Sequence, residues 1–281
     1  MAAHELIAIP VSSKARARIP QLGITLAIGW LTVLAAATIA VLLGAGADPL
    51  ANDYSAINAA PGPAHPFGTD SLGRDILSRS LHGAAASGFV AIMTVVIGGG
   101  VGILLGVLAG LVRGVVEAAV GFITDVTIAL PSLIIVSTVV TLAGPSIFTI
   151  GFIISAFTIP VFARLARAAT LSVATENHVV VAKTLGASGW RVLTKEVLPS
   201  VLPLMIPILM TTIAGAIVAE GALSFLGFGL RPPEPSWGAL IAQGRAELTS
   251  APWLTMFPAL MICLTILSVN VLGEHFREAR R

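Results

Sequence analysis

The 281-residue sequence is 56% hydrophobic and 11% charged, with a mean hydropathy of +0.95. Because one water-soluble core cannot bury that much apolar surface, the composition excludes an ordinary soluble domain and indicates a membrane protein. A net charge of only +2 argues against nucleic-acid binding, and the single Cys263 excludes an internal disulfide and a cysteine-cluster metal site.

Apolar segments long enough to cross a bilayer, which takes about 20 helical residues, recur along the chain. Their ranges are 22–43, 84–111, 120–143, 147–161 (a short one), 201–219 and 253–272. The pattern predicts an all-α integral membrane protein with six transmembrane helices. The first segment could be taken for a signal peptide, but it is longer than the roughly 7 to 15 apolar residues of a signal core, so we expect a retained anchor helix.

The distribution of basic residues predicts the orientation of these helices. With the N-terminus in the cytoplasm, the external segments carry only Arg74, Arg79, Arg231 and Arg245 of the 16 Lys and Arg residues. This bias agrees with the positive-inside rule, so both termini are predicted to be cytoplasmic. The predicted organisation is a cytoplasmic N-terminus (1–21), an anchor helix (22–44), an external loop (45–83), a membrane core (84–274) with a cytoplasmic loop (about 170–199), and a cytoplasmic tail (275–281).

The external loop contains a segment, 69–79, that is predicted to form a short surface helix. Thr69 or Asp70 can cap it. Asp70 with Arg74, and Asp75 with Arg79, are acid-to-base pairs four residues apart, which favour a solvated, locally stabilised helix over a ligand site.

The second apolar segment carries Gly98, Gly102, Gly106 and Gly110 at a spacing of four, which places them along one side of a helix. Another helix is predicted to approach its backbone closely there. Helix packing is favoured over a nucleotide loop, because no strand precedes these glycines and no Lys-Ser/Thr follows them.

The cytoplasmic loop is predicted to contain two short helices. Asn177 caps the first, over 178–185, which Gly186 ends; Ser188 caps the second, over 189–197, which Pro199 ends. Apolar residues form a stripe on each helix: Val179, Ala182 and Leu185 on the first, and Trp190, Leu193 and Val197 on the second. With Lys183, Arg191 and Lys195 around them, these stripes either dock on a partner or pack beneath the protein's own helices.

This loop resembles that of the permeases of ATP-binding-cassette (ABC) importers, particularly the C-type permease of dipeptide, oligopeptide and nickel systems. Their motif is Glu-Ala-Ala, three residues, Gly, nine residues, Ile, one residue, Leu-Pro. At that spacing the chain has Val180-Val181-Ala182, Gly186, Glu196 and Leu198-Pro199. It departs from the motif at Val180, where the family usually has Glu, and at Glu196, where it has Ile.

The resemblance extends over most of the chain apart from the anchor helix and its flanks. The matching segments are His65-Pro66-Phe67-Gly68-Thr69-Asp70-Ser71-Leu72-Gly73-Arg74-Asp75, Asp125 with Leu130-Pro131-Ser132, Ala219-Glu220-Gly221-Ala222-Leu223-Ser224-Phe225-Leu226-Gly227, and Pro235-Ser236-Trp237-Gly238.

The resemblance implies a type I ABC importer permease fold in a bacterial cell membrane. It implies that the loop couples to ATPase subunits through Val180, Val181, Ala182, Lys183, Leu185, Gly186, Glu196, Leu198 and Pro199. The implied partners are a second, B-type permease, one fused or two separate ATPase subunits, and an extracytoplasmic solute-binding protein. ATP and Mg²⁺ would bind to the ATPase subunits and no cofactor to this chain, which lacks a Gly-x-x-x-x-Gly-Lys-Ser/Thr loop and is not expected to be an enzyme.

The implied solutes are di- or oligopeptides, with nickel chelates, glutathione or haem as alternatives. Acidic residues within the apolar segments are candidate functional residues, because a charge at mid-bilayer costs about 3 kcal/mol. Asp125 is predicted to lie at the inner boundary with a local structural role. Glu220 precedes Gly221, where the helix is predicted to break; it either lines the translocation path with Gly221 or forms a buried pair with another helix.

The segment after Glu220 is predicted to form a re-entrant turn over 223–230 and then a stiff external loop. Pro233, Pro235 and Trp237 in that loop are predicted to face the binding protein.

Other classes of membrane protein fit the sequence less well. A secondary transporter would show repeated halves and several midplane polar groups, which the sequence lacks. An intramembrane hydrolase needs a nucleophile beside a base, yet all five histidines lie outside or at the ends of the spans. A purely structural membrane subunit remains an alternative.

Overall fold

The computed structural model describes residues 21–278, which form helices joined by short segments. The predicted cytoplasmic residues before Gln21, and those after Glu278, lie outside the described part. The helices are α1 (Gln21–Leu42), α2 (Ile76–Met93), α3 (Gly100–Val112), α4 (Gly114–Ala129), α5 (Ser132–Ala143), α6 (Ile147–Val173), α7 (Asn177–Thr184), α8 (Gly189–Arg191), α9 (Leu198–Phe225), α10 (Trp237–Gly244) and α11 (Trp253–Glu278). One π-helical turn (Thr94–Gly99) joins α2 to α3, and a second (Val192–Val197) joins α8 to α9.

Five continuous helices of the described chain are long and apolar enough to cross a membrane: Gln21–Leu42, Ile76–Val112, Ile147–Val173, Gly189–Phe225 and Trp253–Glu278. The pair α4 and α5, bent by 84°, is a sixth candidate span, here called the broken third span. The prediction of an all-α membrane protein is therefore confirmed, and the five or six candidate spans agree with the six that were predicted. The break falls at Leu130-Pro131, where Leu130 is extended because a residue before proline is driven out of the helical region.

Two predicted helix ends are wrong. Pro199 does not stop the chain; it lies in the first turn of α9, where the missing proline N–H costs no helical hydrogen bond. Gly221 does not break α9, which continues to Phe225 and ends before Gly227 at φ +88°. The segment from Gly189 to Phe225 is consequently one helical run of 37 residues.

The glycines of the second span allow another helix to approach closely, as predicted. A side-chain carbon added to Gly102 would lie 2.6 Å from the carbonyl oxygen of Ile159 and 2.6 Å from Cβ of Phe162, both on α6. Added to Gly110, it would lie 2.8 Å from Cβ of Thr170. Because the contacts advance together along both helices, α3 and α6 run parallel and pack backbone against backbone.

The predicted surface helix over 69–79 is wrong, because the segment is a turn that leads into α2. One Asp70 carboxylate oxygen accepts hydrogen bonds from the backbone N–H groups of Leu72 and Arg74, both at 2.9 Å. This local bonding competes with a helix. The helix begins only at Ile76, where Asp75 caps it by accepting from the N–H of Ser78 at 2.8 Å.

The charged residues of this turn are buried and not solvated. Arg74 Nε lies 2.7 Å from Asp70 Oδ2. Asp75 does not pair with Arg79 as predicted, because it binds His65 instead. The fully buried guanidinium of Arg79 lies 3.7 Å from Asp70 and donates to the carbonyl oxygen of Pro49 at 3.0 Å. The network therefore fastens the loop between α1 and α2 onto the end of the bundle.

Candidate functional site

The segment from Thr175 to Val197, at the end of the bundle where α6 finishes and α9 begins, has the predicted helix–turn–helix form. Glu176, and not Asn177, is the residue before α7, and its side chain makes no capping hydrogen bond. Gly186, at φ +80°, turns the chain, and the N–H of Ala187 bonds the carbonyl of Ala182 at 3.0 Å, which closes the C-terminus of α7. Ser188 caps α8 as predicted by accepting from the N–H of Arg191.

One side of this segment is anchored in the protein's own core. Val179, Val192 and Val197 are buried and pack with residues of α3 and α6, including Val107 and Phe162. These contacts are apolar and closely packed, and α9 contributes Val201 and Met205 to the same cluster.

The other side of the segment presents large apolar side chains to its surroundings. Leu185 is 81% exposed and Trp190 is 74% exposed, and Val180 and Val181 are about half exposed. We call these four residues the α7–α8 surface. The predicted stripes are thus divided, since Val179, Leu193 and Val197 pack beneath the protein's own helices whereas Leu185 and Trp190 are exposed.

The structure divides the remaining residues predicted for this site between two places. Lys183 and Gly186 are exposed beside the α7–α8 surface, and Ala182 is half-buried beneath it. Glu196, Leu198 and Pro199 instead lie in the helical run after the turn, where Glu196 and Leu198 are half-buried and Pro199 is exposed.

A second candidate site is a cleft of about 460 Å³ between the broken third span, α6 and α9. Gly215, Ala219 and Ala222 form its wall on α9, because residues four and three apart share one helix face. The hydroxyl groups of the cleft come from Thr212 on α9 and from Thr94, Ser132 and Thr158 on other elements. Sequence reasoning missed this wall, although the spacing of three small residues within an apolar span was a signal for it.

Glu220, which was predicted either to line the path or to form a buried pair, is enclosed between helices and only 1% exposed. Its carboxylate accepts hydrogen bonds from Ser87 on α2 at 2.8 Å, from Ser224 at 2.8 Å and from Ser236 at 2.7 Å. Of the two predicted alternatives, Glu220 therefore has the geometry of a buried contact with another helix. Gly221 faces Gly238 at the start of α10.

Trp237 was predicted to face the binding protein, and this prediction is wrong. Its side chain is 1% exposed, and Nε1 donates to the carbonyl oxygen of Ser80 at 2.9 Å. The aromatic ring is therefore part of the packing between α10 and α2. Pro233 is exposed and Pro235 is half-buried in the loop that precedes α10, here called the 226–236 loop.

Two ion pairs join α4 to α6. Asp125 lies 2.5 Å from Arg164, with both side chains more than half exposed, and Glu117 pairs with Arg167. Asp125 thus has a local partner on the neighbouring helix, and exposed pairs of this kind contribute about 0 to 1 kcal/mol each. Across residues 21–278, no three His, Cys, Asp or Glu side chains converge in a way that could hold a metal ion.

Comparison with known proteins matches residues 102–281 to the family described as binding-protein-dependent transport system inner membrane component. Similar proteins include the glutathione transport system permease protein GsiD of Pectobacterium atrosepticum, of Escherichia coli and of Shigella boydii. Each is 37% identical to this chain over 227 residues, which make up 81% of this chain and 75% of the relative.

Proposed function

Because the chain belongs to the binding-protein-dependent inner membrane components and is a permease subunit of an ABC importer, we propose that it forms half of the translocation pathway for a peptide-like solute. The observation that supports this proposal most directly is the cleft beside the broken third span. A break in a membrane helix leaves backbone that is tolerated only where it is buried in protein or lines a cavity. Here the break at Leu130-Pro131 is followed directly by Ser132 in the cleft wall.

The cleft suits a pathway more than a tight binding site. Its wall on α9 includes the small residues Gly215, Ala219 and Ala222, the rest of its lining is mainly apolar, and its polar side chains are uncharged hydroxyls. Such groups exchange hydrogen bonds with peptide amides without holding them as strongly as a charged residue would. A second, B-type permease would close the open side of the cleft.

The solute is proposed to be a di- or oligopeptide or glutathione, which is itself a short peptide and is named for the similar permeases. Nickel chelates and haem are the alternatives within the family. The 226–236 loop, with exposed Pro233 and Glu234, is proposed to face the solute-binding protein, and both termini are proposed to be cytoplasmic.

ATP hydrolysis is proposed to reside in ATPase subunits, either one fused chain or two separate ones, which bind ATP and Mg²⁺ and dock on the α7–α8 surface. Exposed leucine and tryptophan side chains beside Lys183 and Arg191 have the composition of a protein interface. Because the opposite side of the same segment packs into the core, movement of a docked subunit would be transmitted to α6 and α9.

Replacing Gly215 with Phe is expected to reduce solute uptake at least about tenfold, because the ring occupies the cleft that the solute crosses. A side-chain carbon at Gly215 meets no atom within 4 Å, so the new side chain enters the cleft without a clash at its first carbon. Uptake of labelled peptide is measured in vesicles that contain the complete importer.

The matched control is Val218→Phe, which adds a ring to an exposed position of the same helix that does not line the cleft. Its uptake is expected to match that of the wild type. Equal uptake by the Gly215→Phe importer would contradict the placement of the pathway in this cleft.

A further inference from the structure

Glu220 lies near the far end of the helical run that starts at the α7–α8 surface. Trp190 is the second residue of this run and Glu220 the sixth from its end at Phe225. At 1.5 Å per residue, 37 residues span about 55 Å, so one helix reaches from the exposed apolar surface to the opposite end of the bundle. Pro203 and Pro207 lie within the run without ending it.

The hydrogen bonds around Glu220 have a defined direction. Ser87 Oγ accepts from the N–H of Trp237 at 3.3 Å, and Ser236 Oγ accepts from the N–H of Ala239 at 3.2 Å. Each hydroxyl is therefore free to donate its own hydrogen to Glu220. The third donor is Ser224, one turn further along α9. A carboxylate, which only accepts, satisfies all three hydroxyls at once.

These bonds join three elements at one point. Ser87 belongs to α2, Ser224 to α9, and Ser236 precedes α10 and caps it. The elements also approach closely, because a side-chain carbon at Gly238 would lie 2.9 Å from Cβ of Ser224. The position of α10 relative to α9 thus depends on a buried polar contact that is fully satisfied only with a carboxylate.

A second buried charge holds the other end of α10. The guanidinium of Arg79 donates to Gln243 Oε1 at 3.4 Å and to the carbonyl oxygen of Pro233 at 3.5 Å. The 226–236 loop and α10 are consequently held to α2 by Arg79 and to α9 by Glu220.

We propose that Glu220 is a positioning residue that makes α10 and the 226–236 loop follow the movement of the long helix, and so links the ATPase-docking surface to the binding-protein side. This inference rests on the proposed function for the identity of the two ends. Whether Glu220 holds α10 in place can be measured independently of the proposed function.

The test uses Glu220→Gln, which keeps the side-chain shape but replaces one acceptor oxygen with an NH₂ donor, so at least one of the three hydroxyls loses its acceptor. The matched control is Glu274→Gln on α11, where the carboxylate pairs with the exposed Arg277. Hydrogen exchange of residues 237–244 is measured in the full chain in lipid nanodiscs. The ratio of ATPase activity with and without binding protein is measured in the complete importer.

Glu220→Gln is expected to accelerate exchange in α10 and to lower the stimulation ratio by a factor within the range of about 5 to 150 that is typical of coupling between sites, with basal ATPase activity unchanged. Glu274→Gln is expected to change neither. Wild-type exchange in α10 would overturn the holding role, and accelerated exchange with a wild-type ratio would overturn the link between the two ends.

A second variant, Ser236→Ala, removes the donor that joins the start of α10 to Glu220 and is expected to produce the same two effects to a smaller extent. If Glu220→Gln does not accumulate in the membrane, wild-type exchange and ratio in Ser236→Ala overturn the proposal. A wild-type importer without any stimulation would contradict the proposed function and the link together, whereas the exchange measurement would still decide whether Glu220 holds α10.

Discussion

Replacing Leu185 with Asp is expected to weaken binding of the ATPase subunits about 30-fold, the loss produced by removing a central interface contact worth about 2 kcal/mol. Leu185 is the most exposed member of the α7–α8 surface. In a docked complex its side chain would be desolvated, and a carboxylate in its place would lose its hydration without gaining a partner. The fold is expected to be unchanged, because the anchoring residues Val179 and Val197 are on the buried side.

The matched control is Leu248→Asp, which changes another exposed leucine, located in the turn between α10 and α11. Binding is measured by titrating ATPase subunits onto the purified chain in nanodiscs. The control is expected to bind like the wild type. Undiminished binding by the Leu185→Asp chain would show that the ATPase subunits dock elsewhere.

Replacing Gly102 with Ile is expected to lower the free energy of unfolding by about 1 to 3 kcal/mol or more, the range seen for overpacked sites. The added side chain would have to occupy the space of the Ile159 carbonyl and of Phe162. Since backbone cannot move aside as a flexible side chain does, α3 and α6 would separate along the whole contact. The measurement is the midpoint of thermal unfolding in detergent.

The control for this substitution is Gly100→Ile in the same helix, where an added carbon meets no atom within 4 Å. Both variants change helix propensity equally, so the difference between their midpoints reports the packing alone. Equal midpoints would contradict the close parallel contact of α3 and α6.

The number of spans could be predicted from the sequence because hydrophobic length is a strong local signal. The ends of the helices were harder to predict than their number, and Pro199 is an example. A proline can end a helix or occupy its first turn, and the sequence around Pro199 does not distinguish the two. The turn at Asp70 has a similar cause, since its pattern of paired charges suits a surface helix and only tertiary contacts reveal that the segment is buried.

Within the candidate site, the turn at Gly186 and the cap at Ser188 were predictable because glycine and serine act locally. The direction in which each apolar side chain points was not, because Val179 and Leu185 belong to one predicted stripe and differ only in what lies beside them in three dimensions. Glu220 was recognised as unusual, yet its three serine partners are contributed by segments that are distant in sequence or that were expected to be loops.

The central claim, that this chain is a permease whose transport is driven by partner ATPases, is tested most directly by reconstitution. The account predicts ATP-dependent uptake of labelled glutathione or dipeptide into proteoliposomes that contain this chain, the second permease, the ATPase subunits and the binding protein. It predicts neither uptake nor ATP hydrolysis when the chain is reconstituted alone. Uptake by the isolated chain driven by an ion gradient, or ATP hydrolysis by the isolated chain, would contradict it.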